Sequence, residues 1–306
     1  MVAALCLLTT GVLYRPPLVI VAPGPAVDVT GDVSVDGVPV TPITGRFLVP
    51  TVEVRRTNAL GTLVAAVRDG RRVVPAGEAG DVGGGRHPGQ ARETRILAAA
   101  AAALSQGLPA TVTGTGATVV AVRRGSPAAG TLRPGDVVLA VDGRPVSQAA
   151  LLSDIVRAAP TSTALTFSVE RDGQVVDVIV TTAESGVGIT VETRDLAVEL
   201  PFEVRFSGRS AGGPGAGLAY ALAIADLLST NDVARGRTIA AHGTVDADGH
   251  VGPAGDPATA ADASAAAGAS ILVVPVEEVD GARRDGLTVE GVENLARALE
   301  VLATTV

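Results

Sequence analysis

The sequence predicts an α+β protein with more than one domain. Its 306 residues exceed the usual size of a single domain. Runs with the alternation typical of strands interleave with alanine- and leucine-rich runs that have helical spacing. Hydrophobic residues make up 47% of the chain and aromatic residues only 2%, so the expected cores consist of Val, Leu, Ile and Ala.

Charge and cysteine content narrow the possible partners. The net charge is −8, and no cluster of arginines is interleaved with aromatic residues, so nucleic acid is not an expected partner. The single cysteine, Cys6, excludes an intrachain disulfide and leaves the redox compartment open. The three histidines, His87, His242 and His250, lack ligand-like spacing, so we expect neither a metal nor a cofactor.

The N-terminus raises the question of a membrane. Residues 1–13 are apolar apart from two threonines, but this run is shorter than the roughly 20 apolar residues that span a bilayer. It also lacks the basic region of a signal peptide. Two interpretations stand: the end of a membrane anchor whose first part precedes Met1, or a buried strand and helix. We favour an anchor at residues 1–22, with the remaining domains outside the cytoplasm.

Residues 23–110 read as a mixed scaffold segment. The predicted elements are strands on both sides of a turn at 23–25, two strands around Gly45 within 38–54, a short helix at 60–67, a loop at 69–89 and an alanine-rich helix at 90–106. None of these elements carries an obvious chemical motif.

Residues 111–185 carry a specific motif order. The predicted elements are a strand at 116–122, a turn and short helix at 125–130, two strands within 132–146, a helix at 148–159 and a hairpin that turns at 171–173. The order SPA, LRPGD and VDGRPV resembles bacterial PDZ domains, which add a peptide strand to a sheet edge and hold its C-terminal carboxylate on backbone N–H groups.

The PDZ resemblance implies particular binding residues. It places the carboxylate loop at Gly114, Thr115, Gly116 and Ala117. The implied groove lies between residues 117–122 and the following helix, with Leu151 and Ile155 lining it. The alternative interpretation is that these apolar residues only fill the core.

Residues 186–306 form the last predicted domain. Its expected elements are strands at 187–193 and 198–206, a helix at 218–228, a strand at 237–245, a turn at 246–249, a helix at 259–267, a strand at 271–275 and a helix at 292–302. A Gly- and Pro-rich turn ends at Gly215, just before the first helix. A side chain at such a tip would sit beside a helix N-terminus, which favours developing negative charge.

Two segments of this last domain resemble Lon-type serine proteases. In GGPGAG, Gly215 occupies the slot of the nucleophilic serine. In the segment 241–268, the catalytic lysine of the family falls on Ala260 and the threonine that orients it falls on His242. The second glycine of the family's Gly-Gly pair falls on Asp256. All 24 basic residues are arginines, and arginine cannot act as the neutral amine base of a Ser–Lys dyad.

Together the segments resemble the membrane-anchored PDZ–Lon-like (YlbL-type) proteins of peptidase family S16. The resemblance and the replaced dyad imply a pseudoprotease that binds peptides or polypeptide C-termini. The alternative is an active, ATP-independent Lon-like serine endopeptidase. ATP is not an expected partner, because Leu218 follows the glycine run where a phosphate loop needs Lys. A hydrolase built from Ser207 or Ser210 with His242 is a further, less favoured alternative.

Overall fold

A computed structural model describes residues 16–66, 72–75, 88–184, 186–207 and 213–305. The chain divides into two compact units. The composite unit combines the described parts of Met1–Ala110 and Leu200–Val306, and the inserted unit comprises Thr111–Glu199. Within these ranges no helix has both the length and the apolar character needed to cross a membrane. The described residues do not include most of the predicted anchor, the alternative nucleophile Ser210, or His87.

The composite unit takes elements from both parts of the sequence. Before the insertion its strands are β1 (Leu18–Pro23), β2 (Val27–Asp28), β3 (Val33–Asp36), β4 (Arg46–Val49), β5 (Val52–Arg56) and β6 (Arg72–Pro75), and its helices are α1 (Ala59–Ala66) and α2 (Pro88–Ser105). Apolar and small residues dominate both helices, in agreement with the predicted helices there.

The inserted unit is mainly β-structure. Its elements are β7 (Thr111–Thr113), β8 (Ala117–Val122), β9 (Val137–Val141), β10 (Arg144–Pro145), α3 (Ala149–Ala158), β11 (Ala164–Arg171), β12 (Gln174–Thr181), β13 (Ile189–Thr193) and β14 (Ala197–Glu199).

After the insertion the composite unit continues to the C-terminus. Its elements there are β15 (Glu203–Phe206), α4 (Gly217–Leu228), β16 (Thr238–Ala241), β17 (Thr244–Val245), β18 (Val251–Gly252), α5 (Pro257–Ala266), β19 (Ile271–Pro275), α6 (Val279–Ala282), β20 (Thr288–Val292) and α7 (Leu295–Thr304).

A five-stranded sheet organises the composite unit, in the order β2-β4-β16-β19-β20. Strands β4, β16, β19 and β20 run parallel to one another, whereas β2 pairs antiparallel with β4. Strand β19 is buried along its whole length. A strand buried on both faces needs the continuous apolar run that ILVVP supplies. Because β4 comes from the N-terminal segment, the predicted scaffold segment and the C-terminal domain share one sheet.

Two local predictions in the N-terminal segment are wrong. Residues 38–45 form no strand, because Gly45 lies directly against the backbone of Arg237 and leads the chain into β4. The predicted loop at 69–89 contains β6, which pairs with β1 in a three-stranded sheet of order β5-β1-β6.

The core around α4 combines many alanines with a few large side chains, among them Tyr220, Leu222 and Ile224. Every residue of this helix from Gly217 to Asp226 is buried, and it packs with α2, whose alanines at 98–103 are buried as well. Side chains of this size allow two helix backbones to approach closely, so the packing compensates for the scarcity of aromatic residues.

In the inserted unit the sheet order is β12-β11-β9-β8-β13, and β10 pairs with β9. The predicted hairpin is present: β11 and β12 pair in register around Asp172 and Gly173, both of which have positive φ. Such turn residues match the twist of the strands they join. The short helix predicted at 125–130 is absent, and hydrogen-bonded turns take its place.

Strands β13 and β14 belong to the inserted unit. The sequence pattern predicts two strands of the last domain at 187–193 and 198–206. Instead, β13 pairs antiparallel with β8, β14 pairs with β7, and only β15 pairs within the composite unit, with β3. The compact unit therefore extends to Glu199.

Candidate functional site

The Gly-rich tip before α4 has a defined backbone. Residues Pro214–Ala216 form a single 3-10 turn that leads directly into the helix at Gly217. The carbonyl of Gly215 accepts a hydrogen bond from Gly243 N–H, and the carbonyl of Gly243 accepts one from Leu218 N–H, both at 3.1 Å. These bonds fix the tip against the chain segment that follows β16.

His242 lies directly after β16 and is held on two sides. Its backbone N–H donates to Val273 O, and its side chain is only 7% exposed. Nε2 lies 2.8 Å from the carbonyl oxygen of Gly255. Since a carbonyl can only accept, Nε2 carries the proton. Nδ1 is buried and has no hydrogen-bond partner among the described residues.

The imidazole of His242 fills the space beside Gly215. A Cβ atom placed on Gly215 would lie 3.1 Å from Cε1 and 3.3 Å from Nδ1 of His242, and 2.9 Å from Cβ of Ala254. Contacts this short require the neighbours to move. The structure thus brings Gly215 and His242 into contact, and a side chain at 215 would require His242 and Ala254 to shift.

Ala260 lies on α5, which begins after an unusual N-cap. Asp256 has a left-handed backbone with φ of 49°, and its side chain accepts hydrogen bonds from the N–H and hydroxyl of Thr259. The same carboxylate pairs with Arg72 at 2.8 Å. Ala260 is completely buried in the following turn. Its methyl group contributes packing and no chemistry.

Glu278 was not found by sequence reasoning. Its Oε1 accepts hydrogen bonds from the N–H groups of Ala254, at 3.2 Å, and Gly255, at 2.9 Å. It therefore holds the loop whose Gly255 carbonyl receives His242. Its Oε2 is buried without a hydrogen-bond partner in the described part of the chain. An exposed-looking Val-Glu-Glu run gives no local signal that one of its carboxylates turns inward.

The alternative serine–histidine pair does not form with Ser207. The hydroxyl of Ser207 lies within hydrogen-bonding distance of the carbonyl oxygens of Gly31 and Asp32, and the side chain of His242 contacts Gly255 instead. His250 lies on the surface and pairs with Asp246 at 3.0 Å. In the ranges that the structure covers, no group of three or more potential ligand residues could hold a metal ion.

The predicted carboxylate loop in the inserted unit is already hydrogen-bonded. Thr115 N–H donates to Arg194 O at 2.9 Å, and Gly116 N–H donates to Ser147 O at 3.1 Å. Gly114 is packed tightly against Thr193 and Ser147. The loop at Gly114–Ala117 therefore cannot offer these two amides to a peptide carboxylate, and this prediction needs correction.

The prediction that a peptide pairs with β8 is also wrong. β8 is paired with β9 on one side and with β13 along its length on the other, so no further strand can join it. β13 ends the strand order, and α3 runs beside it. Ala149 N–H, in the first turn of α3, donates to the Thr193 hydroxyl at 3.0 Å.

The opposite end of α3 lies near the turn that precedes β13. A Cβ on Gly186 would lie 3.7 Å from a methyl carbon of Val156, and both Gly186 and Gly188 have positive φ. On α3, Leu151 is 43% exposed and Ile155 is partly buried against the core. The predicted lining residues thus lie on the helix that flanks β13, and the strand they flank differs from the predicted one.

A buried ion pair stabilises the sheet of the inserted unit. The Asp136 carboxylate, 2% exposed, accepts from Arg171 Nε at 2.7 Å and from its terminal nitrogen at 2.6 Å. Arg133 N–H donates to the same carboxylate. The hydrogen bonds from Arg171 hold the pKa of Asp136 below its ordinary value, against the opposing effect of burial.

Comparison with known proteins bears on the inserted unit. Residues 96–182 match the family model described as PDZ domain. The chain contains a PDZ domain. The match covers a minority of the chain, which as a whole is a mixed α+β protein, and it ends before β13. No curated protein matches the sequence.

Two solved PDZ domains illustrate the similarity. The PDZ domain of an SdrC-like protein from Listeria innocua is 20% identical, with a TM-score of 0.24 over 25% of this chain and 92% of that chain. The corresponding domain from Listeria monocytogenes is 21% identical, with a TM-score of 0.25 over 26% and 92%.

Proposed function

We propose that the PDZ domain binds extended polypeptide C-termini between β13 and α3. The observation that carries the proposal is the position of α3, whose first turn is hydrogen-bonded to Thr193 of β13, the last strand of the sheet. The same helix carries the exposed Leu151 and the partly buried Ile155. PDZ domains bind peptides by strand addition next to such a helix. Since the lining is aliphatic, the favoured terminal residues are apolar.

The proposal relocates the carboxylate end of the groove. A peptide antiparallel to β13 would bring its C-terminus to the turn at Gly186–Gly188, near the last turn of α3. Glycines with positive φ let backbone amides approach a ligand closely. Gly186 N–H already donates to Ala183 O at 2.9 Å, so a carboxylate here would bind the amides of Val187 and Gly188. Val191, Glu192 and Thr193 make further contacts within the chain, so a peptide would pair with β13 in competition with them.

A library of C-terminal peptides tests this site. We expect affinities on the order of micromolar or weaker, because a flexible peptide must be ordered on binding. Ile155→Arg and Leu151→Asp should abolish binding. Leu104→Asp is the matched control, because Leu104 is 40% exposed on a helix of the composite unit. Binding that survives Ile155→Arg, or the absence of any binding peptide, would contradict the proposal.

We further propose that the composite unit is a Lon-like domain without proteolytic activity, in a protein anchored outside the cytoplasm by residues 1–22. The observation in favour is the contact between Gly215 and His242: the imidazole fills the space that a nucleophilic side chain at 215 would need. Ala260 and the absence of lysine remove the usual base. The competing assignment is an active, ATP-independent Lon-like serine endopeptidase.

A cleavage assay with casein and fluorogenic peptides, together with fluorophosphonate labelling, distinguishes the two assignments. We expect neither turnover nor labelling, because loss of one member of a catalytic unit already reduces the rate by several orders of magnitude. Turnover that persists through purification and disappears in Ser210→Ala or Ser207→Ala would restore the enzyme assignment.

A further inference from the structure

The edge of the PDZ sheet opposite β13 has an unusual surface. β12 is an eight-residue strand that ends the sheet order and, among the strands that the structure describes, pairs with β11 alone. Pairs alternate along an antiparallel ladder, so every second residue of β12 turns its N–H and C=O away from β11. Long open edges of this kind invite pairing with another strand.

Two large apolar side chains stand on the outer face of this edge. Val175 and Ile179 are each 64% exposed, more than any other large hydrophobic residue in the described part of the chain. They alternate with Asp177 on the same face, while Val176 and Val178 turn toward the core. A partner strand would therefore meet aliphatic side chains on both faces.

The strand is nearly symmetric about Asp177. If a second copy of β12 paired antiparallel with Asp177 opposite Asp177, Val175 would face Ile179 and Val176 would face Val178. Shifting the centre by one residue in either direction places Asp177 opposite an aliphatic residue instead. A two-fold axis requires such a self-complementary surface, because each copy contributes the same patch.

One feature opposes the pairing. The two Asp177 carboxylates would face each other, and like charges directly opposite destabilise a strand pair. Asp177 already accepts a hydrogen bond from the Ser168 hydroxyl at 2.6 Å on the neighbouring strand, which keeps the carboxylate on the surface side. A charge at this place limits association of an otherwise apolar edge.

We propose that β12 is a self-association strand, through which two copies of the chain pair antiparallel about Asp177, and that the charge of Asp177 keeps this dimer weak. The partner is thus a second copy of this chain. Its site lies at the other end of the strand order from β13, so dimer formation leaves the proposed peptide site in place.

Sedimentation analysis of the full chain over a range of concentrations tests the affinity. We expect a weak, reversible dimer that added salt strengthens. Asp177→Asn should tighten it about fivefold, the upper range for one opposed pair of charges. Ile179→Arg should abolish it, and Leu104→Arg on another surface should have no effect. A strictly monomeric Asp177→Asn variant, or a dimer unaffected by Ile179→Arg, would overturn the proposal.

Disulfide trapping tests the register independently. On a Cys6→Ser background, Asp177→Cys should form a covalent dimer on oxidation, since opposed residues of an antiparallel pair lie about 5 Å apart at Cα. Val175→Cys alone should not, because its copy would lie about 13 Å away. A mixture of Val175→Cys and Ile179→Cys chains should cross-link. If Asp177→Cys and Val175→Cys, each tested alone, form covalent dimers equally well, the proposed two-fold axis at Asp177 is excluded.

Discussion

Two buried carboxylates, one in each unit, are stabilised in different ways. In the inserted unit, Asp136 is paired with Arg171, and its pKa is lowered by those hydrogen bonds. In the composite unit, Asp226 is completely buried at the end of α4, and its carboxylate accepts hydrogen bonds from the N–H groups of Val233 and Ala234. Desolvation raises the pKa of Asp226. Asp136 is thus neutralised by an arginine, whereas Asp226 relies on backbone dipoles.

The difference extends to the region around Gly215. His242 Nδ1 and Glu278 Oε2 are buried in the composite unit without hydrogen-bond partners among the described residues. Buried polar atoms in native proteins are nearly always satisfied, so exceptions mark places under another constraint. The described part of the inserted unit contains no such atom, whereas these two belong to the side chains that hold the loop at Gly255.

The largest effect is expected where a buried pair is broken. Asp136→Asn should destabilise the inserted unit by about 3 kcal/mol, because it leaves the Arg171 guanidinium without its counter-charge. Hydrogen exchange of the β9 and β11 amides measures this locally. Asp154→Asn is the matched control: its pair with Arg157 is 58% exposed on both sides, and it should cost less than about 1 kcal/mol.

The same pair sets an acid limit for the inserted unit. A carboxyl with a lowered folded-state pKa stabilises the fold fully above its unfolded value, about 3.9. This contribution is lost as the pH falls through the folded-state pKa. The wild-type unit should therefore lose stability below about pH 4 more steeply than Asp136→Asn. If the stability of the two proteins falls with the same slope below about pH 4, the result would contradict this prediction.

An intermediate effect is expected at Gly215. Gly215→Ala should cost about 1–3 kcal/mol, because the new methyl group meets His242 and Ala254 at short distances. In a His242→Thr background part of this cost should disappear, since the ring is gone while the contact with Ala254 remains. A double-mutant cycle by chemical denaturation measures the coupling. Purely additive costs would show that Ala254, rather than His242, restricts the position.

The smallest effect is expected at Asp226. Asp226→Asn loses one of two accepted hydrogen bonds but also removes a buried charge, so the net cost should be about 1 kcal/mol. The pH dependence has the opposite sign to that of Asp136. Since the folded-state pKa is raised, the wild-type protein gains stability from this group as the pH falls through that pKa. An NMR titration that places the Asp226 pKa below its ordinary value would contradict the assignment.

Much of the local structure could be predicted from the sequence. The hairpin at Asp172–Gly173, the helix α4 and the buried strand β19 each follow from turn chemistry or from the period of apolar residues, which are local properties. The PDZ domain could be predicted as well, because its motif glycines and prolines stand in a specific order.

The partners of the strands could not be predicted in this way. Nothing in the local pattern of β13 shows whether it pairs with β8 or with a strand of the C-terminal region, and this choice decides where the peptide groove lies. Pairing across long sequence separations depends on the packing of whole units. For the same reason β4 was not expected in the central sheet.

The site shows the same division. A motif resemblance assigned Gly215 and His242 to site positions from the sequence, but their contact is seen only in the structure. Glu278 was missed, because its role depends on the amides of Ala254 and Gly255, which a distant loop presents.

The insertion of the PDZ domain has a consequence for the order of folding. The hydrogen bond between Arg46 and Thr238 joins residues 192 positions apart, and the parallel ladder of β4 and β16 spans the whole insertion. During synthesis the ribosome therefore completes the inserted unit while β4 still lacks its partner. Contacts of such sequence separation form slowly, and domains fold as units as they emerge. Until then β4 has an unpaired edge. The nascent chain should therefore need chaperones most before residue 238 is synthesised.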